Sequence, residues 1–129
     1  MNCALIGYGR AGKIHYKNIL NNNNLLLKYV FDLNSKIKDI ISKDNINYTD
    51  SIEEILYDQD IKIVVISTPT NTHYDFVKSC LQHKKHILCE KPLSENESEI
   101  IECYKLAEKN NLVLLCAWNR RFDPKIIEL

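Results

Sequence analysis

Apolar positions along this chain gather into short aliphatic and β-branched runs, separated by longer stretches in which polar and apolar residues mix. The runs CALIG (Cys3–Gly7), LLLKYVFD (Leu25–Asp32), IKIVVIST (Ile61–Thr68), HILCE (His86–Glu90) and LVLLCAW (Leu112–Trp118) read as strands, and INY (Ile46–Tyr48) as a weaker one. Helices are predicted between them, over Gly12–Asn21, Ser35–Lys43, Ser51–Tyr57, Thr72–His83 and Ser94–Asn110. Ser51 with Glu54, and Ser94 with Glu97, have the spacing of capping boxes, in which each side chain satisfies an orphaned backbone amide. Strands alternating with helices require right-handed crossovers and a parallel sheet, and the continuous apolar character of the strands suits burial on both faces. The expected fold is a doubly wound α/β domain with a mostly parallel sheet. The tail NRRFDPKIIEL puts Ile126, Ile127 and Leu129 on an incipient helix with no following element to cover it, so the pattern reads as truncated before further structure.

Composition narrows the partners. A chain of 129 residues is the size of one ordinary domain and can bury roughly two thirds of the surface its unfolded form exposes. Lys plus Arg number 17 against 17 Asp plus Glu, so the overall charge suggests neither a nucleic-acid nor a membrane-surface partner. The longest apolar run, IVVIS, is too short to span a bilayer, and the start MNCALIGYGR lacks the order of a signal peptide. A soluble, cytoplasmic protein is expected. The five cysteines are odd in number and include no Cys-x-x-Cys pair, which argues for reduced thiols. Cys80, His83, His86 and Cys89 recur at every third position and are all zinc-binding types, yet the first two fall on a predicted helix end and the others on a strand. No metal site is predicted.

Local motifs point to a ligand. Gly7-x-Gly9-x-x-Gly12 directly follows the first strand and opens a helix. In that setting Gly7 makes the tight turn, Gly9 admits a pyrophosphate and Gly12 lets helix and strand approach, while the helix N-terminus offers amides to the phosphates. Asp32 ends the second strand where the acid that binds the adenosine ribose hydroxyls is expected. NAD is therefore the expected cofactor. NADP, which calls for a cation at that place, is the lesser option and has only Lys36 nearby. The competing reading is a glycine turn in some other α/β fold, with Asp32 a turn former.

The run CEKPLS places Glu90, Lys91 and Pro92 at the carboxyl end of the fifth strand, the end where ligands bind in open parallel sheets. Successive strand residues face opposite sides, so Glu90 and Lys91 are expected to touch different things. A partly buried lysine amine beside a nicotinamide ring could move the proton that accompanies hydride transfer at a carbinol. Pro92 restricts Lys91, and its own peptide bond could be cis or trans.

Taken in order, GYGRAG, STPTNTHYDFV, CEKPLS and NRRFDP resemble the N-terminal half of the Gfo/Idh/MocA oxidoreductases, the family of glucose–fructose oxidoreductase and inositol 2-dehydrogenase. The resemblance implies a Rossmann domain over residues 1–118, with 119–129 the start of a connection to a C-terminal α+β domain. It implies pyrophosphate contacts from Gly7, Gly9 and Gly12 with the backbone of Arg10 and Ala11. Thr68 and Pro69 would line the cofactor, with Asn71 and His73 at the start of the next helix. Glu90 is similar to the glutamate near the nicotinamide-side ribose, and Lys91 to the lysine beside the reacting carbon. Arg120 or Arg121 would border nicotinamide and substrate. The implied reaction is NAD-dependent hydride transfer at a carbinol of a sugar, nucleotide sugar or cyclic polyol. The family's second domain supplies a substrate wall, an aspartate and a histidine a turn apart, and an oligomer interface. It has no counterpart in these residues, so a partner chain would have to provide it. A truncated nucleotide-binding module without catalysis, or half of a split enzyme, is the alternative, and a non-enzymatic interaction protein a third. From the residues themselves, His73 could merely cap its helix, His15 reads as a helix-face residue, and Tyr74, Phe76 and Val77 read as core.

Overall fold

The computed structural model describes residues 1–118 and 123–127. Six strands form one sheet among these residues: β1 (Asn2–Ile6), β2 (Leu26–Phe31), β3 (Asn47–Thr49), β4 (Ile63–Ile66), β5 (His86–Cys89) and β6 (Leu114–Cys116). Their order is β3-β2-β1-β4-β5-β6, and every pairing is parallel. The expected doubly wound α/β fold is thus the observed one. The helices are α1 (Arg10–Leu20), α2 (Lys38–Ser42), α3 (Glu53–Leu56), α4 (Thr70–Gln82), α5 (Glu97–Lys109) and α6 (Pro124–Ile127).

Two cores flank the sheet. On one face Ala4, Ile6, Val64, Ile66, Ile87 and Cys89 meet Ile55 of α3, Val77, Cys80 and Leu81 of α4, and Cys103 and Ala107 of α5. On the other, Cys3, Leu5, Leu27, Val30 and Val65 meet Tyr16 and Ile19 of α1 and Ile41 of α2. Alternate residues of β1 and β4 serve opposite cores, as the period of two in a strand requires, and this is why Cys3 to Ile6 and all of β4 are apolar. Because the chain leaves β1 toward one face and β4 toward the other, their carboxyl ends open a crevice between them.

Helix starts differ from the expected ones. Neither capping box forms. Asn96 caps α5, its Oδ1 accepting from Ser98 N at 3.0 Å, while the Ser94 hydroxyl pairs with Glu99. Leu93 and Ser94 are buried, so the chain must first cross the core surface before it can wind into a helix. Ahead of α3, Ser51 Oγ donates to Glu53 Oε2 at 2.8 Å and Thr49 Oγ1 accepts from Ser51 N at 3.0 Å, which delays the helix to Glu53. The predicted Ser35–Lys43 helix begins as a 3-10 turn over Ser35–Ile37, because Asn34 Oδ1 holds Lys36 N at 3.1 Å. One buried cation carried no signal in the sequence: Lys85 donates to the carbonyls of Asp58 and Ile61 at 2.5 and 3.0 Å. Desolvation pushes its pKa down, with Asp58 opposing.

Candidate cofactor site

The glycine loop is built by contacts that exclude side chains at two positions and leave space at the third. Gly7 has φ of 94°, and a Cβ there would lie 2.9 Å from the Ser67 backbone carbonyl. A Cβ on Gly12 would lie 2.1 Å from Gly7 O. On Gly9 it would meet nothing within 4 Å, so the loop surface there is open for a ligand to approach. Gly9 is also the N-cap of α1, which has no side-chain cap and no acid in its first turn. The amides at Arg10 and Ala11 are therefore available to an anion, in the positive field of an eleven-residue helix.

Asp32 closes one end of this crevice. Its Oδ2 accepts from Tyr8 N at 2.7 Å and its Oδ1 from Asn34 N at 2.8 Å, which aims the carboxylate across the loop mouth. Between Asp32 and the glycines lies a cleft of about 360 Å³, walled by Leu33, Thr68, Pro69, Thr72 and Phe76. Phe76 stacks edge-on against Phe31 at 5.7 Å, giving the cleft an apolar wall suited to a flat heterocycle. The loop is braced from β4: Ser67 Oγ donates to Gly7 O at 2.9 Å, and Ser67 N to Ile6 O at 2.8 Å.

The residues expected from STPTNTHYDFV divide. Thr68 and Pro69 line the cleft, but Asn71 faces a second one, of about 480 Å³, with Tyr74, Ser94 and Asn96. His73 does not reach the crevice. It is 1% exposed, with Nδ1 2.7 Å from Pro92 O and Nε2 2.7 Å from Thr68 O, and so braces the Thr68 loop against the EKP loop. The reason is helical period: His73, Val77, Cys80 and Leu81 share the inner face of α4. Phe76, read as core, does pack against the core and is also part of the cleft wall.

Beyond β5, Glu90 N donates to Ile66 O at 2.9 Å, and Glu90 Oε1 lies 2.7 Å from His15 Nε2 of α1. The Glu90 carboxylate also accepts a long bond of 3.3 Å from Lys91 N through Oε2. Lys91, however, is exposed rather than partly buried, because no element among the described residues covers that side of the crevice. The Lys91–Pro92 peptide is cis. Arg120 and Arg121 lie outside the described residues. Sequence reasoning missed Ser67 and Thr72, whose signal was their place flanking Thr68–Pro69 at a strand end. Of the zinc-type quartet, Cys80 and Cys89 are fully buried, His83 Nδ1 pairs with Ser79 O and His86 Nδ1 accepts from Val113 N.

An open glycine at an uncapped helix N-terminus, a carboxylate across the loop mouth and an apolar slot between them fit a dinucleotide, and define a dinucleotide-binding α/β domain. The chain belongs to the Gfo/Idh/MocA oxidoreductases: residues 1–117 match that family's NAD-binding Rossmann fold. It is 32% identical to a myo-inositol 2-dehydrogenase of Thermotoga maritima over 132 aligned residues, covering 100% of this chain and 39% of that protein. To an inositol 2-dehydrogenase of Rhizobium meliloti it is 34% identical over 120 residues, covering 93% of this chain and 36% of that one. The fold is shared with GenD2 from gentamicin A biosynthesis, solved in complex with NAD, at a TM-score of 0.95 and 23% identity over 99% of this chain and 37% of that one. The chain thus spans well under half the length of these relatives.

Proposed function

We propose that this chain is the cofactor-binding part of an NAD-dependent oxidoreductase acting at a carbinol of a sugar, nucleotide sugar or cyclic polyol. The observation that carries this reading is the open space at Gly9, set on the free amides of α1 and facing Asp32. The pyrophosphate would rest on Gly9, Arg10 and Ala11, the adenosine in the slot beside Phe76, and the ribose hydroxyls on Asp32. A carboxylate there accepts two hydroxyls and repels a 2′-phosphate, which supports NAD over NADP. The bound nicotinamide supplies the hydride acceptor at C4. Lys91 would take the carbinol proton in the oxidising direction and return it in the reducing one. Its exposure means that this chemistry requires a covering element that positions substrate and excludes water, carried by a further segment or a partner chain. The same exposure favours, as a second reading, a module that binds the nucleotide without turnover. Among the described residues no helix is long and apolar enough to cross a membrane. Buried, protonated thiols at Cys3, Cys80, Cys89 and Cys103 suit a reducing, cytoplasmic setting.

The test is titration of the purified chain with NADH and then NADPH, followed by cofactor fluorescence at fixed ionic strength. Saturable binding that prefers NADH supports the proposal. A folded chain that binds neither overturns it.

A further inference from the structure

One side chain of α1 crosses from the glycine loop to the opposite wall of the crevice. His15 lies three residues beyond Gly12, and its Nε2 is 2.7 Å from Oε1 of Glu90, just past β5. The two side chains are 17% and 24% exposed, so the contact is partly withdrawn from water. An ionised carboxylate only accepts, and His15 Nε2 is therefore the donor. The other oxygen, Oε2, receives only a long bond of 3.3 Å from Lys91 N. One end of Glu90 is thus fixed to the phosphate helix and its backbone is fixed to β4 through Ile66 O.

We propose that His15 is a positioning residue for the nicotinamide-side half of the cofactor. It holds Oε1 so that Oε2 accepts from a ribose hydroxyl, and it disperses a carboxylate charge that would otherwise repel the neighbouring pyrophosphate. The pair also couples the helix that holds the phosphates to the loop that carries Lys91, so that cofactor and proton carrier are set by one contact. This inference rests on the NAD-binding reading above.

The experiment compares NADH affinity in the wild-type chain, His15→Leu, which keeps bulk without a donor, and His15→Gln, which keeps an N–H at similar reach. Each is also made in a Glu90→Ala background, with thermal melts to establish folding. His15→Leu is expected to weaken NADH binding about fivefold to tenfold, the range of a charge-assisted hydrogen bond at partial exposure. His15→Gln is expected to recover binding to within about threefold, and in the Glu90→Ala background His15→Leu should change it less than about twofold. A purely structural role for His15 would give the same loss in both backgrounds, and that result overturns the inference, as does unchanged affinity in His15→Leu. If the Glu90→Ala background does not fold, the contrast between Leu and Gln decides alone. A folded wild type that fails to bind NADH overturns the NAD-binding reading and this inference together, whereas wild-type binding with no effect of His15→Leu overturns this inference only.

Discussion

The two glycines Gly9 and Gly12 should fail in opposite ways when given a methyl group. An alanine Cβ at Gly12 would sit 2.1 Å from Gly7 O and 3.0 Å from Ser67 Oγ. The first contact is well over an ångström inside van der Waals distance and is made with backbone, so α1 must move off the β1 turn. Overpacking of that kind costs about 3 kcal/mol, equivalent to a fall in melting temperature of roughly 10 °C for a domain of this size. At Gly9 the same methyl meets nothing within 4 Å, and its φ of −74° is open to alanine. There the small loss of N-cap preference and the gain from a stiffer unfolded chain nearly cancel, leaving a change below about 1 kcal/mol. The methyl would instead occupy the space that a pyrophosphate needs, and NADH affinity should fall about tenfold or more. Thermal denaturation followed by circular dichroism, paired with NADH titration of each variant, separates the two effects. Gly12→Ala melting with the wild type, or Gly9→Ala binding NADH undiminished, would refute the division of labour within the loop.

Three further outcomes are expected. Asp32→Ala should narrow the preference for NADH over NADPH in competitive titrations, and an unchanged ratio would remove Asp32 from cofactor selection. In an assembly that restores turnover, Lys91→Ala should lower kcat by on the order of a hundredfold, and steady-state rates that do not move would remove Lys91 from the proton path. The hydrogen bond from Lys28, at 2.5 Å, holds the Asp58 carboxyl below its ordinary pKa of 3.8. The native state therefore binds that proton less readily than the unfolded chain, so the stabilisation is present above the ordinary value and disappears as pH falls through the lowered one. Lys28→Met should flatten the loss of stability in urea unfolding between about pH 5 and pH 2, and an unaltered slope would show that the pair contributes nothing there.

Much of the molecule was determined by the sequence alone. The alternation of short apolar runs with helical stretches specifies a parallel sheet because only crossover helices can join such strands, and continuous burial of β1 and β4 follows from having a core on each side. The glycine spacing and Asp32 were legible for the same reason: their chemistry depends on residues close together in the chain, at a strand end whose direction the topology already sets. Tertiary structure alone decided the rest. Whether Ser94 or Asn96 caps α5 depends on where Leu93 is drawn into the core, and no local pattern records that competition. His73 was readable as a helix-start residue but not as a brace, because its partners, Thr68 O and Pro92 O, converge only when β4 and β5 lie side by side. Phe76 was legible as a core residue but not as a wall of the cleft, because its partner Phe31 comes from β2, far away in the chain. The pairing of His15 with Glu90 joins residues 75 positions apart. A spacing rule sees only what one helix or strand repeats, whereas a hydrogen bond across a crevice exists only after two separate crossovers have packed on the same sheet.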